Sequence, residues 1–181
     1  DTVHQLSVPE FGLELCNYPN VFSREQMDIG SRFFIQNFPD LSQYNNVLDL
    51  ACGNGLLGIY AQRKFPHLQI DYVDESAFAI LSCQTSLKAN GINEERFRLH
   101  HNNSLNQLNL PPMDAILCNP PFHQQHLVSD YVAGNMIKDS RRALSQNGKL
   151  FLIGNRHLPY YMLLKKHFNH VSTFAGNNKF V

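Results

Sequence analysis

The apolar positions change period twice along the 181 residues. Residues 1–20 alternate apolar with polar side chains (Leu6 and Val8, then Phe11, Leu13 and Leu15) around Pro9 and Gly12, which predicts a short hairpin or extended lead-in. Ser23 followed by Gln26 is a capping box, and Met27, Phe33, Phe34 and Phe38 form a partly helical stripe ending at Pro39, so a helix is expected over 24–37. From Asn46 onward the chain alternates strands and helices. The run 46–50 (NVLDL) is a buried strand, a helix opens at Gly55 and stops before Pro66, and 69–73 is a second strand. Ser76 then caps a helix with Ala79, Ile80, Cys83 and Leu87 inward, closed by Asn90-Gly91. A weaker third strand signal lies at 96–100 and a fourth strand at 115–118, a helix follows over about 125–144, and Gly148 separates it from a strand at 149–153. After a helix over 160–167, the turn signal Gly176-Asn177-Asn178 between 170–174 and 179–181 predicts a C-terminal antiparallel hairpin.

This alternation predicts an α/β fold, a mostly parallel doubly wound sheet of Rossmann-like type, with ligands bound beyond the C-terminal ends of the strands. Residues 1–22 are expected to be a lead-in, and 23–181 one domain. The composition agrees: 43% apolar and 17% charged residues, with 10 Gly and 9 Pro, suit a folded chain able to bury a core. The four cysteines form no CxxC pair and read as reduced thiols of a cytoplasmic protein. No apolar run reaches the roughly 20 residues a membrane helix needs, so no membrane partner is expected. A chain that begins at Asp1 is expected to be a piece of something longer.

Candidate chemistry is concentrated after the first and fourth strands of the alternating region. The segment 49–58 (DLACGNGLLG) contains GxGxxG at 53–58, and Asp74 follows at the end of the next strand, where a dinucleotide site places its ribose acid. A nicotinamide oxidoreductase is therefore a competitor. Against it, Asp49 would set a negative charge close to a pyrophosphate resting on the helix N-terminus, whereas S-adenosylmethionine carries no phosphate and presents an ammonium and a sulfonium. On either reading Asp74, with Glu75 beside it, accepts from ribose hydroxyls. Asn103, after the third strand, either accepts from an adenine amine or is a plain turn residue.

The fourth strand runs into Asn119-Pro120-Pro121-Phe122. Two prolines fix two φ values and remove two donors, leaving nearby carbonyls free to face a cleft. An amine conjugated to a ring is a poor nucleophile. Two acceptors, the Asn119 side-chain oxygen and the Pro120 carbonyl, would hold its N–H bonds and aim its lone pair, with Phe122 stacked on the ring. An ordinary proline turn is the alternative. His123 and His126 have HxxH spacing near His100-His101, but no acid or cysteine joins them at a metal spacing, so no metal is expected. Cys52 and Cys118 lack a histidine–acid partner and read as small buried thiols.

At these residues the chain resembles the class I S-adenosylmethionine-dependent methyltransferases, most closely the bacterial rRNA guanine-N2 methyltransferases of the RlmG/RsmC type. The matching stretches are 19–30 (PNVFSREQMDIG), 49–55 (DLACGNG), 73–76 (VDES), 117–126 (LCNPPFHQQH) and 154–158 (GNRHL), and the last three together are more similar to the large-subunit (23S) branch. The resemblance implies S-adenosyl-L-methionine as cofactor and rRNA as partner. It implies that Asp49, Ala51, Gly53 and Gly55 hold the methionine end, Asp74 and Glu75 the ribose, and Asn103 the adenine. Phe22 and Ser23 would lie near the donor, and Asn119, Pro120 and Phe122 would hold the guanine amine. Ala51 stands where glycine is more usual. Members of this type carry a second, degenerate methyltransferase-like domain before this one, expected to be absent here.

The net charge of zero seems to argue against a nucleic-acid substrate. It conceals an uneven distribution. Residues 138–181 carry eight basic side chains against one acid, Asp139, leaving seven bases against fourteen acids in residues 1–137. Arg141, Arg142, Arg156, Lys165 and Lys166 are the candidates for an RNA-facing patch, though a solvated helix face explains such charges equally well.

Overall fold

A computed structural model describes residues 3–19, 27–120 and 126–181, with 126–130 as backbone only. Buried apolar runs at the centre and partly exposed strands at the edges make a five-stranded, fully parallel sheet in the order β5 (Phe97–His101), β4 (Gln69–Asp74), β3 (Asn46–Leu50), β6 (Met113–Cys118) and β7 (Leu144–Leu152). Alternate side chains of each strand feed two cores. Val47, Ile70, Tyr72, Ala115 and Leu117 face one side, where α1 (Ile29–Gln36), α2 (Leu56–Lys64) and α3 (Ala77–Ala89) pack. Leu48, Leu50, Val73, Ile116 and Cys118 face the other, under α4 (His126–Ala143); α5 (Tyr160–Lys165) packs against α4. Burial on both faces explains why the central strands β3 and β6 read as largely apolar runs, while the edge strands β5 and β7 do not.

The chain winds outward from β3 to β4 and β5, then returns to place β6 on the other side of β3. The C-terminal ends of β3 and β6 are thus the topological switch point, where an open α/β sheet leaves a crevice. Asn119 and the glycine loop meet there because their strands are neighbours, with Leu50 paired to Cys118.

The lead-in forms an antiparallel hairpin, β1 (His4–Val8) with β2 (Leu13–Asn17), turned by Gly12 at φ +68°. Its Val8, Leu13 and Leu15 join the main core. The outer edge of β2 is satisfied by side chains spaced four apart on α3. Asn90 bonds both the N–H and C=O of Glu14, Ser86 Oγ accepts from Cys16 N at 2.8 Å, and Ser82 Oγ accepts from Tyr18 N at 2.8 Å. A serine-and-asparagine stripe does here what a neighbouring strand does elsewhere.

Three expectations need correction. The helix foreseen over 24–37 begins at Ile29: its N-cap is Asp28, which accepts from Gly30 N and Ser31 N, while Ser23 and Gln26 lie outside the described residues. The last strand starts at Leu144, directly after α4, and an irregularity in its pairing falls between Met113 and Ala115 opposite the stretch holding Gly148. A side chain at Gly148 would meet the Met113 carbonyl at 2.7 Å, so glycine lets the two strands close up. The C-terminal antiparallel pairing is a single bridge between Phe180 and Asn155, and residues 171–177 contain no strand. The turn signal is real, since Asn177 Oδ1 accepts from the N–H groups of Lys179 and Phe180. The chain leaving that turn pairs with 154–156 instead of 170–174, through Gly154 N to Val181 O and Arg156 N to Lys179 O.

Candidate active site

The crevice at the switch point holds a cavity of about 260 Å³. Its floor is the glycine loop. Ala51, Gly53 and Gly55 have φ of +57°, +56° and +87°, three left-handed residues in five that curl the chain from β3 into α2. A side chain at Gly55 would also meet Cys83 Sγ at 2.7 Å. The requirement for glycine at 55 is therefore both conformational and steric. Asn54 ties the loop to the hairpin: its Nδ2 donates to Asn17 Oδ1 at 2.9 Å, and its Oδ1 accepts from Leu56 N at 3.1 Å.

Asp74 stands at the end of β4 with one oxygen on Gly53 N and the other on Ser76 N, both at 2.9 Å. Ser76 in turn caps α3 by accepting from Ala79 N. The carboxylate is thus fixed in the cavity wall with lone pairs left for a ligand. Asp49 is 1% exposed and accepts from Gly58 N at 2.9 Å, so it fastens the first turn of α2 from beneath the loop. Burial pushes its carboxyl well above the usual carboxylate value, with nearby Asp74 adding to the rise and the Gly58 bond opposing it. Glu75, Asn103 and Ser104 line the opening.

Across the cavity lie Asn119 and Pro120. Asn119 Nδ2 donates to Asp28 Oδ2 at 2.9 Å and to Ser31 Oγ at 3.0 Å, while its Oδ1 is buried and has no partner among the described residues. An unpaired buried carbonyl oxygen is costly and calls for an explanation. A ligand N–H in the cavity supplies one. Asp28, Ser31, Met27 and Leu15 complete this wall, and none of them follows from reading the glycine and proline motifs alone. The signal for Asp28 is its place as an Asx N-cap before Ile29, which the earlier Ser23 and Gln26 pair obscures.

The charge of the lining separates the cofactor classes. Asp28, Asp74 and Glu75 line the cavity, with the buried Asp49 beneath the loop, and no Lys or Arg does among the described residues. Such a lining repels a pyrophosphate and attracts a cation.

The structure thus brings Asp49, Ala51, Gly53, Asp74, Glu75, Asn103, Asn119 and Pro120 to one cavity, while Gly55 shapes the loop from behind, packed toward Cys83 and Ile59. Phe22, Ser23, Phe122 and His123 lie outside the described residues. The basic candidates are exposed and elsewhere: Arg141 stacks on Phe168, Arg142 borders a second cleft with Asn103, and Arg156 donates to Asn177 O. Lys165 and Lys166 stand exposed at the end of α5. His100 pairs with Asp71, which also takes two bonds from Arg98, and His101 bonds the Glu75 carbonyl. All four cysteines are buried, and burial raises each thiol, which keeps them protonated and unreactive.

Comparison with known proteins follows the same outline. A protein named Ribosomal RNA large subunit methyltransferase G, from Shewanella denitrificans, is 40% identical over 177 residues, covering 97% of this chain and 46% of its own length. The protein of that name from Klebsiella pneumoniae is 43% identical over 167 residues, covering 91% and 44%. The chain spans about half the length of these curated relatives. Among solved structures, the T. thermophilus 16S rRNA N2 G1207 methyltransferase RsmC, in complex with AdoMet and guanosine, superposes with a TM-score of 0.85 at 24% identity. The match covers 99% of this chain and 49% of that one. This likeness places the Rossmann-like methyltransferase fold. The model of the methyltransferase small domain matches residues 12–181, the glycine loop and the asparagine–proline corner included, and the chain belongs to that family.

Proposed function

We propose that the chain transfers a methyl group from S-adenosyl-L-methionine to the exocyclic N2 amine of a guanine in rRNA, that of the large subunit. The observation that carries the reading is the buried Asn119 Oδ1, unpartnered among the described residues, on a side chain lining a cavity that holds carboxylates and, among the described residues, no basic side chain. The family, and relatives named as large-subunit rRNA methyltransferases, support it. The structural neighbour, named as an N2 methyltransferase and bound to guanosine, supports the choice of atom.

The donor, when bound, supplies an electrophilic methyl on a positively charged sulfur. Asp74 accepts from its ribose hydroxyls. The left-handed loop at Ala51, Gly53 and Gly55 lets the backbone approach its methionine end, and Glu75 and Asn103 border its adenosine. On the acceptor side, Asn119 Oδ1 and the Pro120 carbonyl each take one N–H of the amine, which turns its lone pair toward the methyl. A neutral amide is not a strong base, so these acceptors would serve an in-line displacement in which the N–C bond forms as the methyl–sulfur bond breaks, S-adenosylhomocysteine leaves, and the extra proton passes to water afterwards. Positioning supplies most of the rate. The reaction belongs in the cytoplasm, where rRNA is found, and no described helix is long and apolar enough to cross a membrane.

Radiolabelled donor offered with protein-free large-subunit rRNA, small-subunit rRNA, DNA and a release factor tests the acceptor. Label is expected in the large-subunit RNA. Label confined to DNA or to protein would overturn the reading in favour of an adenine N6 or glutamine amide acceptor. Calorimetry that finds NAD bound and S-adenosylhomocysteine ignored would overturn the donor.

A further inference from the structure

The amide of Asn119 is held on both of its hydrogens. Nδ2 donates to Asp28 Oδ2 and to Ser31 Oγ, and the Ser31 hydroxyl itself donates to Asp28 Oδ2 at 2.9 Å. A carboxylate only accepts, and the single hydroxyl hydrogen of Ser31 is already committed to it, so both groups facing the amide require its NH2 edge. The reversed amide would set oxygen against oxygen at both contacts. Oδ1 is thereby turned away from both groups and lies buried without a partner among the described residues, on a side chain that lines the cavity. The contact brings together residues distant in sequence, and Gly30 packs beside it: a Cβ there would stand 3.4 Å from Asp28 Oδ2 and 3.6 Å from both amide atoms of Asn119. Capping α1 does not by itself call for Asp at position 28, since Ser, Thr or Asn cap as well.

We propose that Asp28 and Ser31 are positioning residues that make Asn119 an acceptor-only group toward the substrate, so that the site selects a reacting atom bearing hydrogens, an amine, and requires Asn instead of Asp at position 119. The proposal rests on the functional reading above. A substrate presenting a carbonyl or an unprotonated ring nitrogen would meet Oδ1 lone pair to lone pair. An Asp at 119 would set a second carboxylate at hydrogen-bond distance from Asp28, and the pair would have to take up a proton or move apart.

A charge swap tests this. Asn119→Asp is expected to lower kcat by about 100-fold, the scale of a misplaced reacting group. Adding Asp28→Asn, which keeps an N-cap and lets the new amide donate to the new carboxylate, should then recover about tenfold, the coupling expected of residues in contact. Ser31→Ala should lower kcat with little change in KM for the RNA. A readout independent of turnover is the side-chain NH2 resonance pair of Asn119 in a 15N-labelled sample, assigned by its disappearance in Asn119→Ala. In Asp28→Ser, which preserves a cap, that pair should move toward the position of a water-exposed amide.

The proposal is overturned if Asn119→Asp keeps the wild-type kcat, if the double variant is no better than the single one, or if the NH2 pair stays in place in Asp28→Ser. Failure of the underlying reading looks different. Wild-type protein would then label an acceptor other than guanine, while the swap would still report the clamp on that acceptor. With no transfer at all, the resonance pair alone decides.

Discussion

Ala51 shows how a departure from a motif acquires a physical meaning. It occupies a left-handed conformation at φ +57°, where an L residue is strained by about 1–2 kcal/mol and glycine is not. Ala51→Gly is therefore expected to stabilise the loop by up to about 1 kcal/mol, less the entropy glycine adds to the unfolded chain. Donor affinity should stay within a few-fold of the wild type, as urea unfolding and calorimetry together would show. Asp49 carries a pH signature. Its folded carboxyl holds a proton more tightly than the unfolded chain does, because burial raises it above the ordinary 3.8. Its contribution to stability is then full below that value and is lost as pH rises through the raised folded value. Urea unfolding of Asp49→Asn across a pH series should show the variant gaining on the wild type over that window and levelling off above it. A constant difference at all pH values would contradict the buried-charge account. Asp49 and Asp74 were legible from spacing to the glycine loop, whereas Asp28 was not, since its partner Asn119 lies 91 positions away and only the fold brings them together.

Among the elements, the central strands β3, β4 and β6 were the most legible, because burial on both faces leaves mostly apolar runs, whereas the partly exposed edge strands β5 and β7 gave weaker signals or a misplaced start. The attachment of the hairpin was not. Ser82 and Ser86 of α3 and its C-cap Asn90 are spaced four apart and carry no apolar signal, yet Ser82 and Ser86 are fully buried against the backbone of β2 and Tyr18. Ser86→Ala would strip the Cys16 N–H of its acceptor inside the core, costing about 1–3 kcal/mol. Chemical denaturation measures that directly, and donor affinity should fall too, since Leu15 and the Asn17–Asn54 bond carry the hairpin into the cavity wall. The C-terminal hairpin failed for a related reason. Asn177 makes the turn that its sequence advertises, but local turn chemistry does not choose the partner strand, and the chain after the turn bonds to 154–156 and not to 170–174.

Over the whole molecule, acid and base are divided by place as well as by sequence. Carboxylates surround the donor cavity, and the exposed bases gather on α4, α5 and the segments flanking α5. A zero net charge therefore says nothing against an RNA substrate, because a phosphate backbone responds to the local field and not to the sum. Arg156 donates to Asn177 O at 2.7 Å and Lys165 more loosely to Asn169 O at 3.4 Å, and both lysines, 165 and 166, are exposed. Replacing both lysines by Ala should raise KM for rRNA and reduce the slope of log affinity against log salt by about one for each phosphate no longer neutralised, leaving donor affinity unchanged. An unaltered salt slope would assign those lysines to a solvated helix face.

In the proposed reaction the Asn119–Pro120 corner presents a guanine N2 amine to a methyl donor held over the β3 loop. Nucleoside mass spectrometry of large-subunit rRNA after incubation with donor and protein tests it most directly, with wild type and Asn119→Ala side by side and donor-analogue binding measured on both. The account predicts N2-methylguanosine with the wild type and at least about a 100-fold slower appearance with the variant, at similar donor affinity. Equal turnover by Asn119→Ala, or a methylated nucleoside other than N2-methylguanosine, would contradict it.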